Sequence, residues 1–254
     1  MNNTLFIYKA LRRFAHHLPM LVIALALFSS CGADRNFKKG EKYLALGEYF
    51  DAATEFKQAY TKTPAKERER RGQIALKMAA SYDKSLQTAK AVAAYRNAVR
   101  YKQASADDYL ALGRLLLKTG SYKEAAQIFE MVLDSMPDNA LARNGLEAAR
   151  KAPGFKDAGS RYTVKRMDIF NSRRADYSPM LLGDESELLY FTSTRNDAQG
   201  DELSGITGTK PGDIFFSEKD DKGKWSKPEV VQGGLNTDYD EGACAFSPDG
   251  RTMY

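Results

Sequence analysis

The stretch GEKYLALGEYFDAATEFKQAYTKTP, residues 40–64, predicts two helices packed against each other. Gly40 and Tyr43 lie three residues apart, and Ala52 and Phe56 lie four apart, so each pair occupies one helical face. The small residues allow the helices to approach closely, and the aromatic side chains fill the space beside them. A helical hairpin is therefore the expected unit of this fold.

The same pattern occurs three times along the chain. Residues 107–137, DDYLALGRLLLKTGSYKEAAQIFEMVLDSMP, repeat it closely. The markers of a weaker copy between the two are Ala79, Tyr82, Ala91, Tyr95 and Ala98. Ala91 and Ala125 are 34 residues apart, whereas Ala52 and Ala91 are 39 apart, which predicts a longer first connection near AKERE. The pattern and its period resemble the tetratricopeptide repeat.

The resemblance places the repeats at residues 33–66, 72–105 and 106–139, within a domain that spans 31–151. Residues 138–151, DNALARNGLEAARK, start with an Asp/Asn pair suited to N-capping and are rich in polar side chains. Such a segment is expected to form a capping helix, up to residue 151, that shields the last repeat. The resemblance implies an all-α solenoid that binds one or more protein partners.

The charged run KERERR, residues 66–71, allows two interpretations. It either binds an anionic ligand or forms the solvated end of a helix. Acidic residues are interleaved with the basic ones, which favours the solvated helix end.

Helical periodicity ends at Pro153 and Gly154, and residues 152–161 are predicted to form a linker. Short aromatic and β-branched runs follow, separated by turn residues. The strand candidates are residues 188–194, 213–219, 225–231 and 242–247. This pattern is typical of a sandwich, a barrel or a propeller.

An internal repeat distinguishes between these folds. Residues 176–190, DYSPMLLGDESELLY, align without gaps on residues 240–254, DEGACAFSPDGRTMY. Both copies predict a strand, a tight turn and a second strand, and Pro248, Asp249 and Gly250 suit the turn of the second copy. The FSPDG motif resembles the WD-like propeller repeat of TolB-type proteins. The resemblance predicts that residues 162–254 are the start of an all-β, incomplete β-propeller, truncated in its second blade.

The two copies are 64 residues apart, and a Gly-rich, polar insertion at residues 195–213 accounts for the excess over a usual propeller period. The acidic residues of the insertion are Asp197, Asp201, Glu202 and Asp213. Their spacing does not match a calcium-binding loop, so we expect a mobile loop and no metal site. Trp225, the only tryptophan, is expected to pack in the sheet, and Cys244 to be a small buried side chain.

The N-terminus is typical of an export signal. A basic segment, YKALRR, precedes the apolar run LPMLVIALALF, which is shorter than a membrane-spanning helix. The following SSCG motif resembles a bacterial lipoprotein signal, with residues 1–30 as the signal peptide and Cys31 as the lipidated residue. This resemblance implies attachment to the membrane through acyl chains, such as palmitate, on Cys31. Because no Asp directly follows Cys31, we expect delivery to the outer membrane.

Composition limits the chemistry of the chain. The net charge is +5, but without residues 1–30 there are 35 Lys and Arg against 33 Asp and Glu, so nucleic acid is not an expected partner. Both histidines, His16 and His17, lie in the predicted signal, and the chain has no G-x-S-x-G motif. We therefore expect no catalytic residues, no cofactor, no His-ligated metal and no enzyme activity in this chain.

A lipidated cysteine followed by tetratricopeptide repeats and a WD-like propeller resembles envelope lipoproteins of Bacteroidota. In those proteins an OmpA-like domain that binds peptidoglycan follows, and some members belong to the type IX secretion machinery. The resemblance predicts a non-enzymatic scaffold on the periplasmic side of the outer membrane, as the N-terminal fragment of a longer protein. Peptidoglycan binding would require the missing C-terminal domain. Two alternatives are the front part of a propeller-gated peptidase and an accessory lipoprotein for glycan or nutrient uptake.

Overall fold

The computed structural model describes residues 32–254, so the predicted signal peptide and Cys31 lie outside the described residues. The chain divides into two compact units, with the boundary between Gly159 and Ser160. This boundary falls inside the predicted linker at residues 152–161. Each unit is described by itself below.

The helical unit consists of helical hairpins joined by short connections. Within the described residues its helices are α1 (32–46), α2 (Tyr49–Lys62), α3 (Arg68–Lys84), α4 (Thr88–Arg100), α5 (Ala106–Lys118), α6 (Tyr122–Ser135) and α7 (Ala140–Asp157). The hairpins α1–α2, α3–α4 and α5–α6 coincide with the three predicted repeats, and α7 packs on both α5 and α6. The predicted tetratricopeptide-repeat solenoid is confirmed.

Local signals define where these helices start. The hydroxyl of Ser105 accepts a hydrogen bond from the Asp108 backbone N–H (3.3 Å), and the Asp108 carboxylate accepts one from the Ser105 N–H (2.9 Å), which forms a capping box at α5. At α7 the side-chain oxygen of Asn139 accepts a hydrogen bond from Ala142 N–H (2.9 Å), as its predicted N-cap role requires. One continuous apolar core joins all the repeats, from Ala52 to Ala149.

The first connection is not longer than the second, contrary to the expectation from the 39-residue spacing. Residues 63–67 join α2 to α3, and residues 101–105 join α4 to α5, so both connections have five residues. The extra residues lengthen α3 at its start, because it begins at Arg68, before the predicted repeat start at residue 72. The segment RERR consists of good helix formers, which explains the additional turn.

The prediction that the capping helix ends at residue 151 is also wrong, because α7 continues to Asp157 through Pro153. A proline inside a helix removes one backbone hydrogen bond and crowds the carbonyl four residues earlier, yet Pro153 lies within α7 with its side chain exposed. Gly154 has no positive φ and is helical, and its carbonyl accepts a hydrogen bond from Ala158 N–H (2.9 Å). The helix-breaking residue types Pro153 and Gly154 therefore placed the predicted end of this helix about two turns too early.

The second unit contains a four-stranded antiparallel sheet. Its strands are β1 (Asp176–Leu182), β2 (Leu188–Ser193), β3 (Asp213–Glu218) and β4 (Glu229–Val230), in the spatial order β1-β2-β3-β4. A four-stranded sheet is what one propeller blade contains. The described residues include no second sheet, so the propeller itself stays a prediction.

The strand predictions succeed at the centre of this sheet and fail at its edge. The candidates at 188–194 and 213–219 correspond to β2 and β3, whereas 225–231 contains only the two-residue β4. The prediction of a strand at 242–247 is wrong, because Phe246 forms only an isolated bridge to Met253. Pro228 has no N–H to donate, so the hydrogen-bond ladder between β3 and β4 stays short. The hairpin around residue 250 pairs only with itself, so its bridge does not extend into a strand.

The turn and the core of the β unit follow the sequence more closely. Gly250 adopts a φ of 69° in a hairpin whose ends, Ala245 and Tyr254, exchange backbone hydrogen bonds of 3.0 and 2.8 Å. Trp225 packs edge-on against Phe170, with 5.3 Å between ring centroids, which confirms its structural role. Cys244 is a buried free thiol, as predicted, and burial raises its pKa.

Candidate protein-binding face

Ion pairs between side chains show which helices lie next to each other on one side of the helical unit. Glu41 on α1 pairs with Lys77 on α3 (Oε1 to Nζ, 3.0 Å), and Asp83 on α3 pairs with Arg114 on α5 (Oδ2 to Nη2, 2.5 Å). The members of both pairs are at least partly exposed, so the pairs contribute little stability. They do place α1, α3 and α5 side by side. We call the surface formed by α1, α3, α5 and α7 the odd-helix face.

An apolar cleft of about 370 Å³ opens between α5 and α7 on this face. Leu110 and Leu117 line it from α5, and Leu141 lines it from α7 with 69% of its surface exposed. Asp107 and Arg114 add one charge of each sign at the cleft. One exposed and two partly buried leucines beside charged side chains suit an amphipathic peptide segment, whose apolar side chains would be buried while its polar groups stay paired.

The floor of this cleft includes the ring of Phe129, which α6 supplies. A Cβ at Gly113 would lie only 2.7 Å from that ring, so glycine is required for the close approach of α5 and α6. The first repeat has the same arrangement, where a Cβ at Gly40 would lie 2.8 Å from the ring of Phe56. The glycine and aromatic positions noted in the sequence are therefore in contact within each of these repeats.

A second cleft, of about 620 Å³, lies between α1 and the start of α3. Its lining is mostly polar and of mixed charge, with Phe37 as an apolar member beside Asp34, Arg68, Arg70 and Gln73. Arg70 pairs with both Asp34 and Glu67, whereas Arg68 in the same cleft has no ion-pair partner among the described residues. It is a weaker candidate for an apolar peptide than the cleft at Leu110.

The β unit has an apolar pocket of its own, of about 520 Å³. Tyr177, Leu189, Phe191 and Trp225 contribute to its lining. It contains no pair of titratable groups arranged for acid–base catalysis, since Lys165 and Asp176 are the only charged side chains among its lining residues. The pocket offers apolar contact area and no evident chemistry.

A buried ion pair of the β unit has a structural role. Asp176 at the start of β1 accepts hydrogen bonds from the Ser193 hydroxyl (2.6 Å) and from Arg195 Nη2 (2.8 Å). Both charged side chains are about nine-tenths buried. The Arg195 guanidinium also lies over the rings of Phe191 and Phe215, at 5.0 and 4.7 Å. Sequence reasoning missed this pair, because Asp176 and Arg195 are brought together only by the β1–β2 pairing.

The acidic residues of the insertion do not converge. Asp213 is fully buried, and its Oδ2 accepts a hydrogen bond from Gln199 N–H (2.7 Å), whereas the Asp201 side chain is fully exposed. Burial raises the pKa of Asp213. Among residues 32–254 no group of three or more His, Cys, Asp or Glu side chains is arranged to hold a metal ion. Lys210 donates a hydrogen bond from Nζ to the Ala198 carbonyl (3.0 Å), which links the two ends of the insertion.

Cys31, the predicted lipidation site, lies outside the described residues, and its role stays a prediction. None of the helices in the described range 32–254 has both the length and the apolar character needed to cross a bilayer.

Comparison with known proteins finds no matching family model and no matching curated protein. Solved structures of tetratricopeptide-repeat domains are similar over about half of this chain. The first repeat domain of Spaghetti (RPAP3), bound to an HSP90 peptide, is 23% identical, with 49% of this chain and 95% of that chain covered and a TM-score of 0.41. The Sgt2 domain from Aspergillus fumigatus is 21% identical (54% and 88% covered, TM-score 0.40).

The second repeat domain of human RPAP3, in complex with an HSP70 peptide, is 19% identical, with 50% of this chain and 98% of that chain covered and a TM-score of 0.40. These values identify no ligand for this chain. Its repeat architecture is evident from its own helix pairing and from the Gly–Phe contacts described above.

Proposed function

We propose that this protein is a non-catalytic scaffold that binds a protein partner through the odd-helix face. The observation that carries the proposal is the apolar cleft between α5 and α7, where Leu110, Leu117 and Leu141 are accessible beside Asp107 and Arg114. The helices that hold these side chains share a closely packed core, so the cleft is presented by rigid elements. A partner that inserts apolar side chains there would bury leucine surface that is otherwise in water.

The proposal includes attachment to the outer membrane, on the periplasmic side, through acyl chains on Cys31. The lipoprotein-type signal at residues 1–31 supports it, as does the position of Cys31 immediately before α1 in the sequence. The resemblance to Bacteroidota envelope lipoproteins supports a role in envelope integrity or in a type IX-like secretion machinery.

Site-specific photo-crosslinking tests the binding face. A photoreactive amino acid is placed at Leu141 in the cleft and, as a matched control, at Met131 on α6, which is also exposed (49%). We expect a discrete crosslinked protein from position 141 and none from position 131 in living cells. Equal crosslinking at both positions, or none at either, would refute the assignment of the odd-helix face.

Membrane attachment is tested separately. The wild-type protein should incorporate an alkyne-labelled fatty acid and sediment with the outer membrane, and Cys31→Ser should abolish both properties. Protease added to intact cells should leave the protein undigested. Digestion from outside would overturn the periplasmic location while leaving the scaffold proposal intact.

A further inference from the structure

Arginine side chains from two helices meet around two tyrosines at one end of the helical unit. Arg71 donates a hydrogen bond from Nε to the Tyr101 hydroxyl (3.1 Å), and its guanidinium lies 4.0 Å from the centroid of the Tyr60 ring. The guanidinium carbons of Arg68 and Arg100 lie 5.7 and 5.2 Å from the centroid of the Tyr101 ring. We call these five residues the arginine–tyrosine cluster.

The positive charge of this cluster is not neutralised by neighbouring carboxylates. In the part of the chain that the structure describes, no ion pair within 4.0 Å involves Arg68, Arg71 or Arg100. Within the KERERR run Glu67 pairs with Arg70, and Glu69 accepts a hydrogen bond from Gln73, so neither carboxylate forms an ion pair with an arginine of the cluster. The run includes the exposed start of α3, as predicted, and Arg68 within it has no ion-pair partner among the described residues.

One arginine of the cluster is held in place and two are exposed, of which Arg100 donates a hydrogen bond from Nη2 to Asn97 Oδ1 (2.7 Å). Arg71 is partly buried and donates to the Thr63 carbonyl (2.7 Å), so it is held in place. Arg68 and Arg100 are exposed, and together they place two guanidinium groups around one tyrosine ring. The pKa of Tyr101 is lowered, first by the hydrogen bond with Tyr60 and further by the arginines, which is consistent with a positive local potential.

The cluster lies at the same end of the hairpins as the first described residue. Lys62 at the end of α2 donates to Asn36 in the first turns of α1 (2.7 Å), and Asp34 pairs with Arg70 at the start of α3. The start of α3 in turn contacts the end of α4 through Arg68 and Tyr101. The chain therefore leaves α1 toward Cys31 from the end that carries the cluster.

We propose that the arginine–tyrosine cluster binds the phosphate groups of anionic phospholipids in the bilayer to which Cys31 is attached, and this inference rests on the lipid anchor of the proposed function. Guanidinium groups match phosphate oxygens with parallel N–H donors. Each arginine near an anionic surface strengthens binding about five-fold. A lipid anchor with a basic protein surface beside it is a stable combination, since one interaction keeps the other at the membrane.

Vesicle binding of the unacylated protein tests this inference. The chain without residues 1–30 and with Cys31→Ser is mixed with vesicles of phosphatidylcholine alone or with phosphatidylglycerol added. We expect binding only with phosphatidylglycerol, and a loss of about 25-fold in Arg68→Gln/Arg100→Gln, five-fold for each arginine. The matched control is Lys84→Gln/Lys90→Gln, at the opposite ends of the same two helices, which should bind nearly as wild type does.

Several outcomes would overturn the inference. Equal binding to both vesicle types would do so, as would an equal loss of binding in the control double variant. Displacement by millimolar inorganic phosphate at constant ionic strength would also do so, because it would assign the site to soluble phosphate. Arg68→Lys/Arg100→Lys keeps the charge but not the parallel N–H donors, so it should bind more weakly than wild type and more tightly than the glutamine double variant, which separates loss of charge from folding defects. The protein in the vesicle experiment lacks Cys31. Its binding therefore does not depend on whether the wild-type chain incorporates the labelled fatty acid, so the two proposals can fail separately.

Discussion

Gly113 and Gly154 both lie inside helices, yet their surroundings differ. A Cβ at Gly113 would lie 2.7 Å from the Phe129 ring, whereas a Cβ at Gly154 would have no heavy atom within 4 Å. Only the first glycine is required by packing. The second merely lowers the helix propensity of α7.

We therefore expect Gly113→Ala to lower the free energy of unfolding of the helical unit by about 1–3 kcal/mol, because the ring must move within a packed core. Gly154→Ala is the matched control and should raise it by up to about 1 kcal/mol. Urea unfolding followed by circular dichroism at 222 nm measures both. Equal effects of the two substitutions would show that the Gly113–Phe129 contact does not limit packing.

Leu86 is one reason why the second repeat matches the sequence pattern less well than the other two. The turns inside the first and third hairpins contain Gly47 and Gly120 with φ of 81° and 75°, but the second has Leu86 with φ of 61°. A left-handed conformation is strained for leucine and free for glycine. The side chain is 71% exposed and buries little.

Leu86→Gly should raise the free energy of unfolding by about 0.5–1 kcal/mol, since the relief of strain exceeds the added entropy of the unfolded chain. The reverse change at an equivalent turn, Gly120→Leu, should lower it. Thermal unfolding of both variants tests the pair. A destabilised Leu86→Gly variant would mean that the leucine side chain contributes more than its exposure indicates.

At the scale of single elements, two buried aspartates of the sheet have opposite effects on stability. Burial raises the pKa of Asp176, but hydrogen bonds from Ser193 and Arg195 outweigh burial, and its pKa is lowered. Burial dominates at Asp213, one of whose side-chain oxygens has no hydrogen-bond partner within the described structure, and its pKa is raised. The charged form of Asp176 thus stabilises the β unit, and that of Asp213 destabilises it.

The sign of each pH effect follows. The contribution of Asp176 is present above its unfolded pKa of about 3.9 and is lost as the pH falls through its lower folded pKa. The contribution of Asp213 to the stability of the β unit becomes unfavourable once the pH rises above the pKa of this residue in the unfolded chain. At neutral pH, Asp176→Asn should therefore destabilise the β unit by about 2–3 kcal/mol, and Asp213→Asn should stabilise it.

Trp225 fluorescence provides the readout for this pair, because it is the only tryptophan and packs in the core of the β unit. Unfolding of wild type and both variants is compared between pH 4 and 7 at constant ionic strength. The same sign of effect for both asparagine variants would contradict the assignment of opposite pKa shifts.

At the scale of the whole molecule, the two units differ in the size of their cores. Within residues 32–254, the main apolar cluster of the helical unit contains 21 buried residues, whereas that of the β unit contains four. Apolar burial is the main favourable contribution to folding, so the β unit should be the less stable of the two.

Heating should therefore produce two transitions. The change in Trp225 fluorescence, which reports on the β unit, should precede the loss of helical signal at 222 nm by several degrees. Coincident transitions at both wavelengths would indicate that the two units unfold cooperatively.

Much of the helical unit was predictable because its signals are local. Small and aromatic residues three or four positions apart, with a period of 34 residues, correctly gave three hairpins, and Asn139 correctly marked the start of α7. The ends of helices were less predictable. Pro153 lies inside α7 although proline usually ends or kinks a helix, so the local rule placed the end of α7 too early.

The sequence by itself determined the repeat architecture, the central strands β2 and β3, and the tight turn at Gly250, since all depend on neighbours along the chain. Only the tertiary structure decided which distant side chains meet. Arg68 joins Arg100 and Tyr101, and Asp176 joins Arg195, because helix and strand pairing brings them within a few ångströms. The interleaved acids of KERERR correctly predicted a solvated helix end, whereas the approach of Arg68 and Arg100 to Tyr101 depends on the packing of two helices.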